Sequence, residues 1–246
     1  MASLGSNWSF SRISTYDTCP YEFYLVYKQG AESEQNVFAQ YGSYVHSILE
    51  KYYNDELTEF DLSDYYREHY KEEVNLTFPK FINGDKYFAD AYAYLSNITS
   101  AKDKYNILGV EKFIKTKING YNFNGIIDLL LEDKETKDLV VYDHKSKGEF
   151  KSKKELANYA RQLYLYSHWV KETYGKFPTL LIFNLFRKGE EIVIPFKEED
   201  YNATLEWFTS KIEEINLTEE YSAKEKSDFY CKNLCGVRNL CEKGLE

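Results

Sequence analysis

The sequence predicts an α/β fold in which a mixed sheet is flanked by helices, with a helical subdomain before it and a cysteine cluster after it. Three observations support this prediction. Helical patterns fill the first hundred residues, short β-prone runs fill the middle of the chain, and helices alternate with strands thereafter. The 246 residues, 43% of them hydrophobic, suffice for one large core without disulfide bonds. We therefore expect a single domain over residues 1–246.

The part of the chain before the sheet is predicted to be helical. Residues 42–53 bring four apolar side chains to one face at helical spacing, namely Val45, Ile48, Leu49 and Tyr52. Residues 61–78 and 85–105 are polar, rich in tyrosine and helical in pattern. We interpret residues 54–108 as a helical insertion within the domain.

The sheet is predicted to begin with three strands, at residues 110–118, 121–131 and 139–144. Asn119-Gly120, between the first two strands, is a strong signal for a tight hairpin. A charged turn then leads to the third strand, so we expect the three strands to be neighbours.

A helix separates these strands from the rest of the sheet. It is predicted to begin at Ser152, with Glu155 placed as a capping box requires, and to end before Gly175. The remaining predicted elements are two strands and a helix, at residues 179–186, 191–196 and 198–215. This order of elements fits a mixed sheet.

The net charge of −9 would by itself argue against a protein that coats nucleic acid. The acidity is regional, however, because residues 54–73 and 190–220 together carry −14 and the rest of the chain carries +5. We expect those two stretches to face solvent or a protein partner, away from any bound DNA.

No segment predicts a membrane partner. The opening residues lack a basic and apolar secretory signal, and the longest apolar runs, at 126–131 and 180–186, are strand-sized. We therefore expect a cytoplasmic protein.

Two acids and a lysine are predicted to meet at one end of the sheet. Asp128 lies on one hairpin strand, and the partner strand carries Asp143-His144-Lys145, in which the acid and the lysine share a face. Carboxylates bind Mg²⁺ or Mn²⁺, which activate water against a phosphodiester, and an ammonium stabilises the charge that develops. The alternative is a surface salt bridge at a strand end, because so short a pattern often arises by chance.

Four further polar residues have two interpretations each. Gln162 and Tyr166 share one helix face, where they either support the lysine or a phosphate or form ordinary half-buried surface. His46 is either a Mn²⁺ ligand or a structural residue beside the core face of its helix. Glu111, at the head of the first strand, is either another oxygen ligand or a solvated edge charge.

Lysines follow the predicted metal motif closely. Four of them lie within ten residues of Lys145, namely Lys147, Lys151, Lys153 and Lys154. Three more lie on the first strand, namely Lys112, Lys115 and Lys117. We interpret the lysines after the motif as a DNA-binding rim that makes binding salt-dependent, the alternative being a solvated face.

The four cysteines are unevenly placed. Cys19 stands alone near the start of the chain, while Cys231, Cys235 and Cys241 fall within the last sixteen residues. In a reducing compartment such a group indicates metal ligation rather than disulfide bonds.

Six short motifs occur in order along residues 10–241. They are Tyr16-x-x-Cys19-Pro20, Gly42-x-x-x-His46, Gly125-x-x-Asp128, Asp143-x-Lys145, Gln162-x-x-x-Tyr166 and the terminal cysteines. Together they resemble the RecB-like branch of the PD-(D/E)XK nucleases. The sequence is most similar to the iron–sulfur subgroup, which includes CRISPR-associated RecB-like exonucleases, the AddB nuclease domain and phage homologues.

This resemblance implies a restriction-endonuclease-like core and a catalytic divalent metal, Mg²⁺ or Mn²⁺. The implied ligands are His46, Asp128, Asp143 and the backbone carbonyl of His144. The resemblance also implies that Lys145 is the catalytic lysine and that Gln162 and Tyr166 support the site or contact DNA.

The resemblance further implies that the four cysteines hold a four-iron four-sulfur cluster, with the tail 228–246 closing on Cys19. The tail spacing, Cys-x3-Cys-x5-Cys, departs from the two-residue first gap that is more common in the subgroup. Structural zinc therefore remains the alternative. His144 also stands where the subgroup usually has an apolar or tyrosine side chain.

We hypothesise a metal-dependent DNA nuclease, an exonuclease acting on single strands or free ends in recombination, repair or phage DNA processing. It would act in a bacterial or phage-infected cell, with a helicase, recombination or integrase component as protein partner. One alternative is a catalytically silent DNA-end-binding or assembly subunit with the same fold. Another is a zinc-stapled interaction protein whose acidic stretches bind a basic partner.

Overall fold

The computed structural model describes residues 7–224 and 227–245. Residues 1–6, 225–226 and 246 lie outside these ranges. The expectation of no secretory signal concerns the opening residues and therefore falls largely outside the described part of the chain. Within the described ranges, none of the helices combines the length and the apolarity needed to cross a membrane.

A five-stranded sheet forms the centre of the fold. Its strands are β1 (Tyr105–Ile118), β2 (Tyr121–Asp133), β3 (Leu139–Lys145), β4 (Leu180–Leu185) and β5 (Glu190–Pro195). Their order in the sheet follows the chain. Strands β3 and β4 run parallel, and the other neighbours are antiparallel. The mixed sheet predicted from the sequence is confirmed.

Helices occupy most of the chain outside the sheet. They are α1 (Phe10–Thr18), α2 (Pro20–Phe23), α3 (Val37–Tyr53), α4 (Leu62–Glu73), α5 (Gly84–Ser96), α6 (Lys153–Tyr174), α7 (Glu198–Leu217), α8 (Asp228–Asn233) and α9 (Glu242–Leu245). A π-helical turn at Tyr24–Lys28 and 3₁₀ turns at Ala101–Asp103 and Arg238–Leu240 are shorter.

Helical layers cover both faces of the sheet. Helices α3, α4 and α5 pack on one face against Val140 and Tyr142, and α6 and α7 pack on the other against Leu139 and Val141. Because successive strand residues alternate between the two faces, β3 must be apolar on both sides until it leaves the core. Its first charged residue, Asp143, follows these apolar positions and is itself buried.

Helix α6 begins at a well-defined cap. Ser152 Oγ accepts a hydrogen bond from the backbone N–H of Glu155 at 3.1 Å, and Gly175, with φ of 75°, ends the helix. The carboxylate of Glu155 accepts from the N–H of Lys151 at 2.6 Å, one residue earlier than in a complete capping box. The predicted helix is confirmed, and its start is fixed close to the end of β3.

The segment before β1 differs from the prediction. The sequence predicts a helix over 85–105 and a first strand from residue 110, whereas α5 is shorter and β1 already begins at Tyr105. The reason is a long-range contact, because Ile107 pairs with Leu131 of β2 and local patterns do not encode that pairing. The first residues of β1 belong to the sheet rather than to the helical insertion.

The residues before α1 form backbone hydrogen bonds with the edge of β2 that does not face β1. The N–H of Trp8 donates to the carbonyl of Asn122, and the N–H of Asn124 donates to the carbonyl of Trp8, both at 2.8 Å. Ser9 then caps α1 by accepting a hydrogen bond from the N–H of Arg12. The start of α1 is thereby held beside β2.

Candidate active site

The predicted acidic residues lie where β2 and β3 separate. Pairing between these strands ends at Leu129 and Tyr142, so Asp128 and Asp143 follow directly outside the ladder. Both are buried, with 9% and 1% of their surface exposed. The end of the ladder thus brings together two carboxylates that are fifteen residues apart in the sequence.

The carboxylate of Asp128 is held from two sides. Its Oδ2 accepts a hydrogen bond from the N–H of His144 at 2.7 Å and lies 3.5 Å from Nδ1 of His46, on α3. Burial, and then the charge of Asp143, raises the pKa of Asp128 well above its ordinary value. Burial lowers the pKa of His46 to about 4. At neutral pH the imidazole is therefore uncharged and keeps a lone pair for a metal.

Glu111 joins this group from β1 in an unusual backbone conformation. Its φ of 43° lies in the left-handed region, which costs a non-glycine residue about 1–2 kcal/mol. Burial, and then the charges of Glu50 and Asp143, raises the pKa of its carboxyl to about 7. One ligand atom each from His46, Glu111 and Asp128 lies within 4.8 Å of the others.

This donor set fits a divalent cation. One imidazole nitrogen and several carboxylate oxygens are ligands that Mn²⁺ and Mg²⁺ accept. Carboxylates buried side by side disfavour each other's charged form, and a cation among them removes that repulsion. A divalent cation bound among them would therefore lower the pKa values of Asp128 and Glu111, which burial and neighbouring carboxylates raise.

A chain of polar contacts leads from Asp143 to α6. Lys145 Nζ lies 2.6 Å from Asp143 Oδ2, as an ion pair without hydrogen-bond alignment. Lys145 donates to Gln162 Oε1 at 3.1 Å, and Gln162 Nε2 donates to the hydroxyl of Tyr166 at 2.8 Å. Burial opposes the lysine's charge, but Asp143 and Asp128 outweigh it and raise the pKa of Lys145. The ammonium is thus charged and fixed beside the two acids.

Gly125 allows this close approach of α6 to β2. A Cβ added at Gly125 would lie 2.5 Å from Cε1 of Tyr166, which is too short for any packed contact. The glycine therefore admits the tyrosine ring whose hydroxyl holds Gln162.

The side chain of His144 faces away from Asp143 and Lys145, as strand alternation predicts. It is buried, its Nδ1 lies 2.9 Å from Asn184 Nδ2, and its ring centre lies 5.6 Å from that of His46. The side chain thus packs between α3 and the sheet. The ligand role of its backbone carbonyl remains a prediction.

An open cleft of about 480 Å³ is lined by the candidate site residues other than His144, namely His46, Glu111, Gly125, Asp128, Asp143, Lys145, Gln162 and Tyr166. Sequence reasoning does not find six of its other lining residues, namely Ser9, Phe10, Ser11, Phe113, Asn124 and Ile126. No local sequence pattern predicts their position. Ser9, Phe10 and Ser11 are placed at the cleft by the pairing of Trp8 with β2, and Phe113, Asn124 and Ile126 by the register of the β1–β2 hairpin.

The predicted DNA-binding lysines lie on the loop before α6 and on its first turn. None of these four residues, all within the described part of the chain, lines the cleft. Lys147 is paired with Glu155 at 2.7 Å, whereas Lys151, Lys153 and Lys154 are exposed. Their contact with DNA remains a prediction.

A second cluster joins the two ends of the chain. One small pocket is lined by all four cysteines, Cys19, Cys231, Cys235 and Cys241. The N–H of Glu34 donates to the carbonyl of Gly236 at 2.8 Å, and Asn36 Nδ2 donates to the carbonyl of Leu234 at 3.1 Å. Burial raises the pKa of Cys235 to about 12, so its thiol stays protonated unless a metal displaces the proton. The tail therefore lies against the N-terminal segment.

The family model described as the PD-(D/E)XK nuclease superfamily matches residues 7–242. The chain belongs to this superfamily. The match includes every residue of the cleft and all four cysteines, so the nuclease fold extends over nearly the whole chain. No curated protein shows significant similarity to the chain.

A solved structure of low sequence identity shares the fold. The crystal structure of a protein described as a candidate exonuclease, from Eubacterium rectale, is 13% identical and superposes with a TM-score of 0.55, covering 97% of this chain and 89% of that one. At this identity the likeness concerns the fold alone. The crystal structure of SSO0001 is 16% identical and covers 75% of this chain and 82% of its own, with a TM-score of 0.34, which is too low to support an argument.

Proposed function

We propose that this nuclease is a metal-dependent DNA exonuclease that acts on single strands or free ends. The observation that carries the proposal is the grouping of His46, Glu111 and Asp128 within 4.8 Å, beside the ion pair of Asp143 and Lys145. Uncharged imidazole, buried carboxylates and a fixed ammonium are the groups that phosphodiester hydrolysis needs.

Each residue has a distinct part in this proposal. Bound Mg²⁺ or Mn²⁺ would polarise the scissile phosphodiester and lower the pKa of the attacking water. The proposed ligands are His46, Glu111, Asp128, Asp143 and the backbone carbonyl of His144. Lys145 stabilises the negative charge that develops on the phosphate. Gln162 orients the lysine, and Tyr166 holds Gln162 in place.

The alternative is a DNA-end-binding or assembly subunit that keeps the fold without catalysis. The complete set of acids, lysine and supporting contacts argues against it, because a silent site is under no physical requirement to keep buried charges that cost stability. Metal-independent binding of DNA ends without turnover would favour this alternative.

Substitution of the ion pair tests the catalytic site. With Mn²⁺ and end-labelled DNA we expect Asp143→Ala and Lys145→Ala each to lower the cleavage rate by at least about 10²-fold, as loss of one transition-state contact does. Matched controls are Asp64→Ala and Lys71→Ala, exposed charges on α4 that leave the rate unchanged. Wild-type rates in both site variants would contradict the assignment.

End-labelled and circular DNA substrates test whether the protein digests from ends or cuts internally. Support for an exonuclease comes from the fold neighbour that is described as a candidate exonuclease. We expect DNA labelled at one end to release short products and circular single-stranded DNA to resist. Rapid nicking of the circle would indicate an endonuclease instead. The same assay with a helicase, recombination or integrase component tests for a protein partner.

For the second cluster we propose a four-iron four-sulfur group held by the four cysteines, with zinc as the alternative. All four cysteines line one pocket, and four thiolates are the number that either a four-iron four-sulfur cluster or tetrahedral zinc takes. The choice of the cluster rests on the resemblance of the cysteine motifs to the iron–sulfur subgroup. Iron, sulfide and zinc analysis of anaerobically purified protein distinguishes the two metals.

A further inference from the structure

An exposed apolar pair lies at the mouth of the cleft and has no part in the chemistry described above. Phe113 of β1 and Ile126 of β2 are direct cross-strand partners, and 52% and 45% of their surfaces are exposed. Both line the cleft that holds the proposed metal ligands. Both side chains are therefore placed to contact whatever enters the cleft.

The pair lies close to the reacting centre. Phe113 is two residues along β1 from Glu111, and Ile126 is two residues along β2 from Asp128. Two residues of strand span about 7 Å. A nucleotide next to the scissile phosphate would therefore reach the ring of Phe113.

Positive charge continues from the pair along the same face of the hairpin. Residues i and i+2 of a strand share a face, so Lys115 and Lys117 follow Phe113 toward the hairpin tip. Across the ladder they are paired with Asn124 and Asn122. Lys115 Nζ lies 5.2 Å from the centre of the Phe113 ring. The face presents an aromatic ring, then two ammonium groups flanked by amides.

We infer that Phe113 and Ile126 form a stacking ledge for an unpaired base of the substrate, with Lys115 and Lys117 binding the phosphates that follow. Base–aromatic stacking combined with a lysine-lined track is the chemistry that binds single strands without reading their sequence. A base inside a duplex cannot offer its face to the ring. The ledge thus selects single-stranded or frayed DNA, and this inference rests on the proposed nuclease function.

Binding without turnover tests the ledge separately from catalysis. The probe is a fluorescent oligo-dT strand, and the protein carries Asp143→Ala and is kept free of divalent metal. We expect Phe113→Ala to weaken binding of the single strand roughly 5- to 100-fold and to leave binding of a blunt duplex unchanged. Phe113→Trp should restore single-strand binding, because stacking requires an aromatic ring and tryptophan also supplies one.

Phe60→Ala is the matched control, since Phe60, which lies within the acidic residues 54–73 and does not line the cleft, is also exposed, at 83%, and should leave binding unchanged. Circular dichroism and thermal melting confirm that the surface variants fold. Equal affinities of wild type and Phe113→Ala for the single strand would overturn the ledge, as would loss of self-association in that variant without a change in DNA affinity. A protein that never cleaves DNA but shows the Phe113 dependence would keep the ledge and lose the nuclease proposal.

Discussion

At the scale of single residues, the site is built from groups held in states that they would avoid elsewhere. Asp128 is buried next to a second carboxylate, Glu111 adopts a left-handed backbone conformation within a strand, and Lys145 is charged inside the protein. Each arrangement costs free energy in the metal-free protein. Groups perturbed in this way cluster at functional sites, which supports the proposed active site.

The pKa of Glu111 makes the metal-free protein sensitive to pH. A carboxyl whose pKa is raised from 4.5 to about 7 holds its proton more tightly when the protein is folded. Its contribution to stability is therefore full below about pH 4.5 and is lost as the pH rises through about 7. In metal-free protein we expect Glu111→Gln to melt higher than wild type at about pH 8, by roughly 2–4 °C for each kcal/mol regained.

Two comparisons check this expectation. Glu135→Gln, an exposed carboxyl in the β2–β3 turn, should melt as wild type across the same pH range. Added Mn²⁺ should raise the melting temperature of wild type at about pH 8 more than that of Glu111→Gln, since a cation stabilises the charged carboxylate. Parallel pH profiles of wild type and Glu111→Gln would show that this carboxyl does not carry the effect.

At the scale of secondary-structure elements, the site depends on how closely α6 approaches β2. The cap at Ser152 fixes the start of α6, and Gly125 removes the side chain that would hold the helix away. The polar chain from Lys145 to Tyr166 crosses the gap between β3 and the helix. A displacement of α6 would therefore break the hydrogen bond from Lys145 to Gln162 and leave the lysine disordered, although the lysine itself lies on β3.

Gly125→Ala tests this packing. The new Cβ would lie 2.5 Å from the Tyr166 ring, so the ring must move, and we expect a loss of about 1–3 kcal/mol in stability together with reduced cleavage. Gly148→Ala is the matched control, because its Cβ would meet nothing closer than 3.9 Å and should change stability by no more than about 0.5 kcal/mol. The measurements are the free energy of unfolding in denaturant and the DNA cleavage rate of both variants. Equal effects of the two substitutions would rule out close packing as the cause.

At the scale of the whole molecule, two features organise the nuclease. The acids of residues 54–73 are exposed, half of them on α4 and half in the segment before it. The acids of residues 190–220 are exposed on β5, on α7 and in the segments beside them, so much of the net charge lies outside the cleft. The cysteine pocket links the N-terminal helices to the C-terminal tail.

Loss of one cysteine should loosen this link. We expect Cys241→Ser to lower the metal content and the melting temperature, because a link between distant parts of the chain reduces the entropy of the unfolded state. The control is Ser210→Ala, an exposed position on α7 that should change neither quantity. A variant with full metal content and wild-type melting would show that Cys241 is not a ligand.

The sequence by itself predicted the mixed sheet, the α6 boundaries and the acids and lysine that meet where β2 and β3 separate. It could do so because hairpin turns, helix caps and short motifs are local patterns. Tertiary structure alone decided that β1 begins at Tyr105, that Glu111 turns left-handed opposite Asp128, and that Phe113 stands at the cleft mouth. These features depend on pairing between residues far apart in the chain, and no local pattern records which strand a residue will face.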